Sequence, residues 1–201
     1  MKIKNISKTP LNGPALIEYE RFNDERGSFS EIWSDELNDV TGVTQFYQMN
    51  EATCVPNSIR GLHLQYNPYM GKLIRSLEGI VYDYIVDIRA GSPTYGFAMI
   101  VALLQDVNSW FWVPPGFAHA IFSINHSRIQ YFCSGKYNKD CEISIYPFSN
   151  TIDYSLCRPD HIKILKKIKK NPVISEKDRS AINLVDLKND MRSTNFIYGK
   201  C

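Results

Sequence analysis

No two cysteines in the 201 residues have CxxC spacing. The five present, Cys54, Cys133, Cys141, Cys157 and Cys201, are odd in number and irregularly placed. This pattern argues against a zinc site and against a disulfide framework, so free thiols in a reducing cytoplasm are expected. No apolar run is long enough to span a bilayer, and Met1 to Lys8 lacks the apolar stretch of a signal peptide. The net charge is only +2, too small to imply binding to nucleic acid or a membrane. No internal repeat of solenoid or propeller length is visible.

The chain does have an ordinary globular composition, 44% hydrophobic and 22% charged. Its length suits one domain over 1–201, with a core at about 10–150 and a helical segment at 151–201. Short apolar, β-branched and aromatic runs alternate with Gly, Pro, Asn and Asp. Strands are predicted at Ala15–Tyr19, Phe29–Trp33, Thr44–Asn50, Lys72–Leu77, Ile80–Ile88, Phe97–Leu103, Trp110–Val113, Ala118–Ile124, Arg128–Cys133 and Glu142–Tyr146. Within Ile80–Ile88, alternation sets Val81, Asp83, Ile85 and Asp87 on one face and Tyr82, Tyr84 and Val86 on the other. Many short strands at close spacing predict a sandwich or barrel.

Helices are expected near the ends of the β block. Ser34–Val40 can form one. Ile162, Leu165 and Ile168 stripe another, its lysines forming a solvated face before Asn171-Pro172. Ser175 reads as the N-cap of a helix starting at Glu176. The tail Thr194–Cys201 is expected to be loosely held.

Ionisable residues within strand-like segments are informative, because a buried charge needs a partner. His63, Lys72, Asp83 and His119 stand out, with Tyr131 in the strand after His119. A barrel can bring them to one interior. A metal-binding barrel of the cupin kind would carry H-x-H and a later P-x-G-x-x-H. Here Pro114 to His119 supplies the second half, but the first reads His63-Leu64-Gln65, so no metal site is assigned. A metal-free set of His, Lys, Tyr and carboxylate suits proton removal beside a ketone. Histidine is the base, lysine holds the enolate oxygen, and tyrosine returns a proton on the other face.

Bland readings stand beside these. His63 could be a satisfied core histidine. Lys72 could guard an edge strand or pair with Asp83 across neighbouring strands. Position alone makes Asp178, three residues after Ser175, a helix-capping carboxylate.

Several ordered blocks resemble the dTDP-4-dehydrorhamnose 3,5-epimerase family. They are Asp24-Glu25-Arg26-Gly27, Arg60 to Gln65, Gly71 to Arg75, Gly79 through Gly96, Val113 through His119, and Ile174 to Asp178. The resemblance implies a mainly β, cupin-type jelly-roll barrel with short helices near the ends. It implies an enzyme without cofactor or metal that inverts C3 and/or C5 of a nucleotide-linked 4-keto-6-deoxy sugar, acting as a cytoplasmic homodimer. His63 falls on the family's proton acceptor, Tyr131 on its donor, Asp178 on the carboxylate paired with the base, and Lys72 near the keto oxygen. Arg26, Glu31, Gln48, Asn50, Arg60, His119, Tyr137, Glu142 and Lys177 fall on substrate-contacting positions. Arg26 is implied to reach across the dimer interface. The chain departs from the family at Met49, often Asp, at Phe132, where a Lys is usual, and at Ser144 to Pro147. Those departures leave open a single-position epimerase or a 3,4-ketoisomerase. A non-catalytic sugar-nucleotide barrel and a metal-dependent enzyme are the readings outside this chemistry.

Overall fold

The computed structural model describes residues 1–200. In chain order it runs β1 (Ile3–Lys8), β2 (Ala15–Tyr19), a hairpin of β3 (Phe22–Asp24) and β4 (Gly27–Phe29), and α1 (Glu36–Thr41). Then follow β5 (Gln48–Cys54), β6 (Ser58–Gln65), β7 (Lys72–Glu78), β8 (Ile80–Asp87), β9 (Ala98–Leu104), β10 (Ser109–Val113), β11 (Phe117–Ser123), β12 (Ser127–Cys133) and β13 (Glu142–Ser144). The chain closes with α2 (Pro159–Lys170), α3 (Glu176–Arg179) and α4 (Leu184–Leu187). A six-stranded sheet, β1-β2-β10-β7-β12-β5, faces a five-stranded one, β13-β6-β11-β8-β9. This is the cupin-like two-sheet architecture, with all pairings within the two sheets antiparallel.

Period-two alternation sorts the core into layers. Between the sheets lie Ile74, Ile85, Leu103, Phe111, Val113 and Phe117. On the outer face of the smaller sheet, Tyr82, Tyr84 and Val86 pack with Leu165 and Ile168 of α2, Leu184 and Leu187 of α4, and Phe196. The two faces predicted for β8 are therefore the observed ones, and Asp83 points between the sheets with no exposed surface. The lysines of α2 at 163, 166, 167, 169 and 170 are exposed, as expected.

Several expectations need correction. The predicted strand Thr44–Asn50 begins only at Gln48 and runs on to Cys54. Phe46 instead turns into the outer cluster against Trp112 and Phe132. Of Phe29–Trp33 only Phe29 is strand; the Ile32 carbonyl accepts from Trp110 Nε1 at 2.6 Å, so this backbone serves a side chain rather than a ladder. Within the chain β2 lies between β1 and β10. The tail is not loose up to residue 200: Phe196 is fully buried and the main chain around Ile197 bridges to Ala90. Cys201 lies outside the described residues. Lys72 and Asp83 do not pair across neighbouring strands, since β7 and β8 belong to opposite sheets. The four described cysteines are free thiols.

Candidate active site

The site is built on β6, a strand whose polar and glycine content hid it from the run pattern. β6 pairs with β11 and β13, placing His63 opposite both His119 and Ser144. The register with β11 slips between His119 and Ile121. At that bulge Gly61 has φ +114, in the half of backbone space open to glycine. Its N–H is released from the ladder and donates to Asp178 Oδ2 at 3.2 Å, while Leu62 and Ile145 exchange backbone bonds.

Asp178 is almost fully buried, and its Oδ1 stands 2.6 Å from His63 Nε2. Burial alone would push this carboxyl up. The bond to His63, the Gly61 N–H and Ser175 outweigh burial and hold it below the usual carboxylate value. Ser175 also performs the predicted capping, accepting from the Asp178 N–H at 3.1 Å. The helix-capping reading of the Asp178 carboxylate therefore fails: Ser175 does the capping, and the carboxylate turns instead to Gly61 and the His63 imidazole. Ser175→Ala is expected to cost about 1 kcal/mol of stability, read as a lower denaturant midpoint with unchanged slope.

With Nε2 held by Asp178, the other nitrogen of His63, Nδ1, is left facing Glu142 Oε1 at 3.8 Å. Glu142 in turn is paired by Lys177, and Tyr137 OH donates to it at 3.2 Å. This proximity of Glu142 to the histidine was not visible in the sequence.

His63, Lys72 and Tyr131 line one cavity of about 180 Å³ together with Arg60, His119, Ala52, Ile121 and Ile129. The cleft widens on one side past Gln48, Asn50, Met70, Cys133, Tyr137 and Glu142. On the other it reaches Ser175, Lys177 and Asp178. His63 sits on β6 of one sheet and Tyr131 on β12 of the other, so they enter the cavity from facing layers. Burial pushes the Tyr131 phenol up, with the nearby Cys133 thiol adding to the effect. Tyr131 therefore keeps its proton at neutral pH. Burial pushes the Lys72 ammonium down, opposed by Cys133, Glu142 and Asp83. Burial also lowers His119, against the pull of Asp83.

Eleven of the thirteen sequence-predicted site residues border this connected cleft: His63, Tyr131, Asp178, Lys72, Gln48, Asn50, Arg60, His119, Tyr137, Glu142 and Lys177. Two do not. Arg26 is exposed in the β3–β4 turn, paired with Asp24. Glu31 stands 2.6 Å from the Met1 amino group. Met70 and Cys133 line the cleft without having been singled out. Among the described residues, no group of three or more His, Cys, Asp or Glu side chains is placed to hold a metal ion.

The fold and site together define a jelly-roll protein with a cleft lined by histidine, lysine, tyrosine and carboxylate side chains. A family model described as dTDP-4-dehydrorhamnose 3,5-epimerase matches residues 8–186. The enzyme of that name from Methanothermobacter thermautotrophicus is 34% identical over 178 residues, covering 86% of this chain and 90% of its own. A crystal structure from Elizabethkingia anophelis superposes with a TM-score of 0.79 at 32% identity, covering 92% and 98% of the two chains. Another, from Legionella pneumophila in complex with dTDP-4-keto-L-rhamnose, gives 0.79 at 31% identity, covering 96% and 97%. The chain belongs to the dTDP-4-dehydrorhamnose 3,5-epimerase family and is an isomerase.

Proposed function

We propose that this protein inverts C3 and C5 of a dTDP-linked 4-keto-6-deoxy sugar by stepwise proton transfer through an enolate. The observation that carries the reading is the convergence of His63, Lys72 and Tyr131 on one small cavity from two facing sheets. His63 Nδ1 takes the proton from the carbon beside the ketone, and the C–H electrons move onto the keto oxygen. Lys72 stabilises that oxygen. Tyr131 then delivers its phenolic proton to the carbon from the opposite side, regenerating the ketone with inverted configuration. Asp178 holds the ring and balances the imidazolium that forms. Solvent then takes the imidazolium proton and returns one to the phenolate, and the same cycle at the second carbon completes the reaction without a metal or cofactor.

Arg60 and Lys177 border the open side of the cleft, where a diphosphate would meet guanidinium and ammonium groups. His119, Gln48, Asn50, Tyr137 and Glu142 surround the sugar in this reading. Arg26 and Glu31 serve only in a homodimer: the β3–β4 hairpin exposes Phe22 and Phe29 beside Arg26, an apolar surface suited to a second copy. Sedimentation at micromolar concentration is expected to give a dimer, and a monomer that turns over at full rate would remove Arg26 from the site. The whole chain acts as one domain, in the cytoplasm.

The test uses Tyr131→Phe in deuterated water. Epimerisation is expected to fall about 100-fold or more, the usual scale for a lost general acid. Deuterium exchange beside the ketone should fall much less, because the donor acts after proton removal. Equal, undiminished rates for both processes would rule out Tyr131 as the donor.

A further inference from the structure

Asp83 is completely buried, yet only half of its carboxylate is satisfied. Oδ2 stands 2.9 Å from His119 Nε2, while Oδ1 has no hydrogen-bond partner. On the far side of the same ring, His119 Nδ1 stands 3.5 Å from Lys72 Nζ. Among the described residues it is the only hydrogen-bond partner of that ammonium. The other ionisable groups acting on Lys72 are Cys133, Glu142 and Lys177, and His63 acts on His119. A buried carboxylate with an orphaned oxygen is a poor stabilising device. Its place in line with His119 and Lys72 suggests what it serves instead.

A carboxylate accepts hydrogen bonds and cannot donate them, so the proton shared with His119 resides on Nε2. Burial keeps the imidazole neutral, and its lone pair then lies on Nδ1, facing Lys72. Lysine has three donors and no acceptor, so only this tautomer can hold it. We infer that Asp83 is a positioning residue for the epimerisation: by fixing the tautomer of His119 it makes Nδ1 the acceptor that anchors Lys72, leaving the remaining ammonium protons for the keto oxygen. This deepens the function proposed above and rests on Lys72 acting at that oxygen.

The first measurement needs no variant. Nitrogen NMR of ¹⁵N-histidine-labelled protein near neutral pH, assigned with His119→Gln, is expected to show His119 protonated at Nε2 and bare at Nδ1. A proton on Nδ1, or an imidazolium, would overturn the inference. The second measurement is kinetic. In Asp83→Asn the amide can donate to Nε2, which admits the Nδ1–H tautomer and turns a donor toward the ammonium. Because the enolate charge develops in the transition state, kcat should fall about 10- to 100-fold with KM within about threefold, and deuterium exchange should slow in parallel. A folded Asp83→Asn protein with wild-type kcat would also overturn it. If that variant does not fold, the wild-type spectrum decides alone. The two proposals fail separately: absence of exchange in wild type on every 4-keto sugar tried removes the function, whereas a wrong tautomer with exchange intact removes only the role of Asp83.

Discussion

His63→Ala is expected to abolish solvent deuterium incorporation at the carbons flanking the ketone and to lower epimerisation by about 10³-fold or more, toward the upper range for a lost general base. The loss should be this large because no neighbour is free to take over. Glu142 is the closest alternative base, 3.8 Å from Nδ1, but it is already engaged by Lys177 and Tyr137. His119 is engaged at both ring nitrogens. Removing the imidazole also leaves Asp178 Oδ1 buried without its partner, so a modest drop in stability should accompany the kinetic loss. Measuring exchange and inversion separately by proton NMR distinguishes the two effects. Normal exchange in the folded variant would show that the base lies elsewhere.

Gly61→Ala is expected to be the most damaging small substitution in the site, destabilising the fold by about 3 kcal/mol or more. A Cβ built there would lie 2.4 Å from the His119 carbonyl oxygen and 2.8 Å from the Ala120 Cα, both backbone atoms that cannot rotate away. The φ of +114 adds strain for any L side chain. Relief requires β6 and β11 to separate, which pulls His63 from His119 and Gly61 N–H from Asp178. Urea unfolding should therefore show a lowered midpoint, and the surviving folded fraction should turn over poorly. A variant with wild-type midpoint would mean that the bulge is softer than its contacts imply.

Much of the β scaffold was legible in the sequence because half-buried strands impose period two, as in Ile80 to Asp87. β6 escaped because Arg60, Gly61, His63 and Gln65 break the apolar pattern at the very place where the chemistry is concentrated. β1 escaped because it is an edge strand whose side chains from Lys4 on are exposed, leaving no apolar stripe to read. Thr44 to Tyr47 misled for the opposite reason, since Phe46, which fills a cluster, looks the same in sequence as a residue that builds a pleat. Residue types could suggest His63, Lys72 and Tyr131, and the ordered motifs brought in Asp178. Sequence could not show that Glu142 faces His63, or that Asp83 meets His119 instead of Lys72, because those relations depend on which strands share a sheet.

One pairing in the larger sheet ties together two departures that look unrelated along the chain. Met49 on β5 and Phe132 on β12 are directly opposite in the ladder, on the face turned away from the cleft. Phe132 joins an aromatic cluster with Trp33, Phe46 and Trp110, and Met49 lies beside it across the ladder. A single charge introduced at either position would face an apolar neighbour, whereas opposite charges at both would pair across the strands. Gln48, Asn50 and Tyr131 alternate with them on the same two strands and so face the cleft.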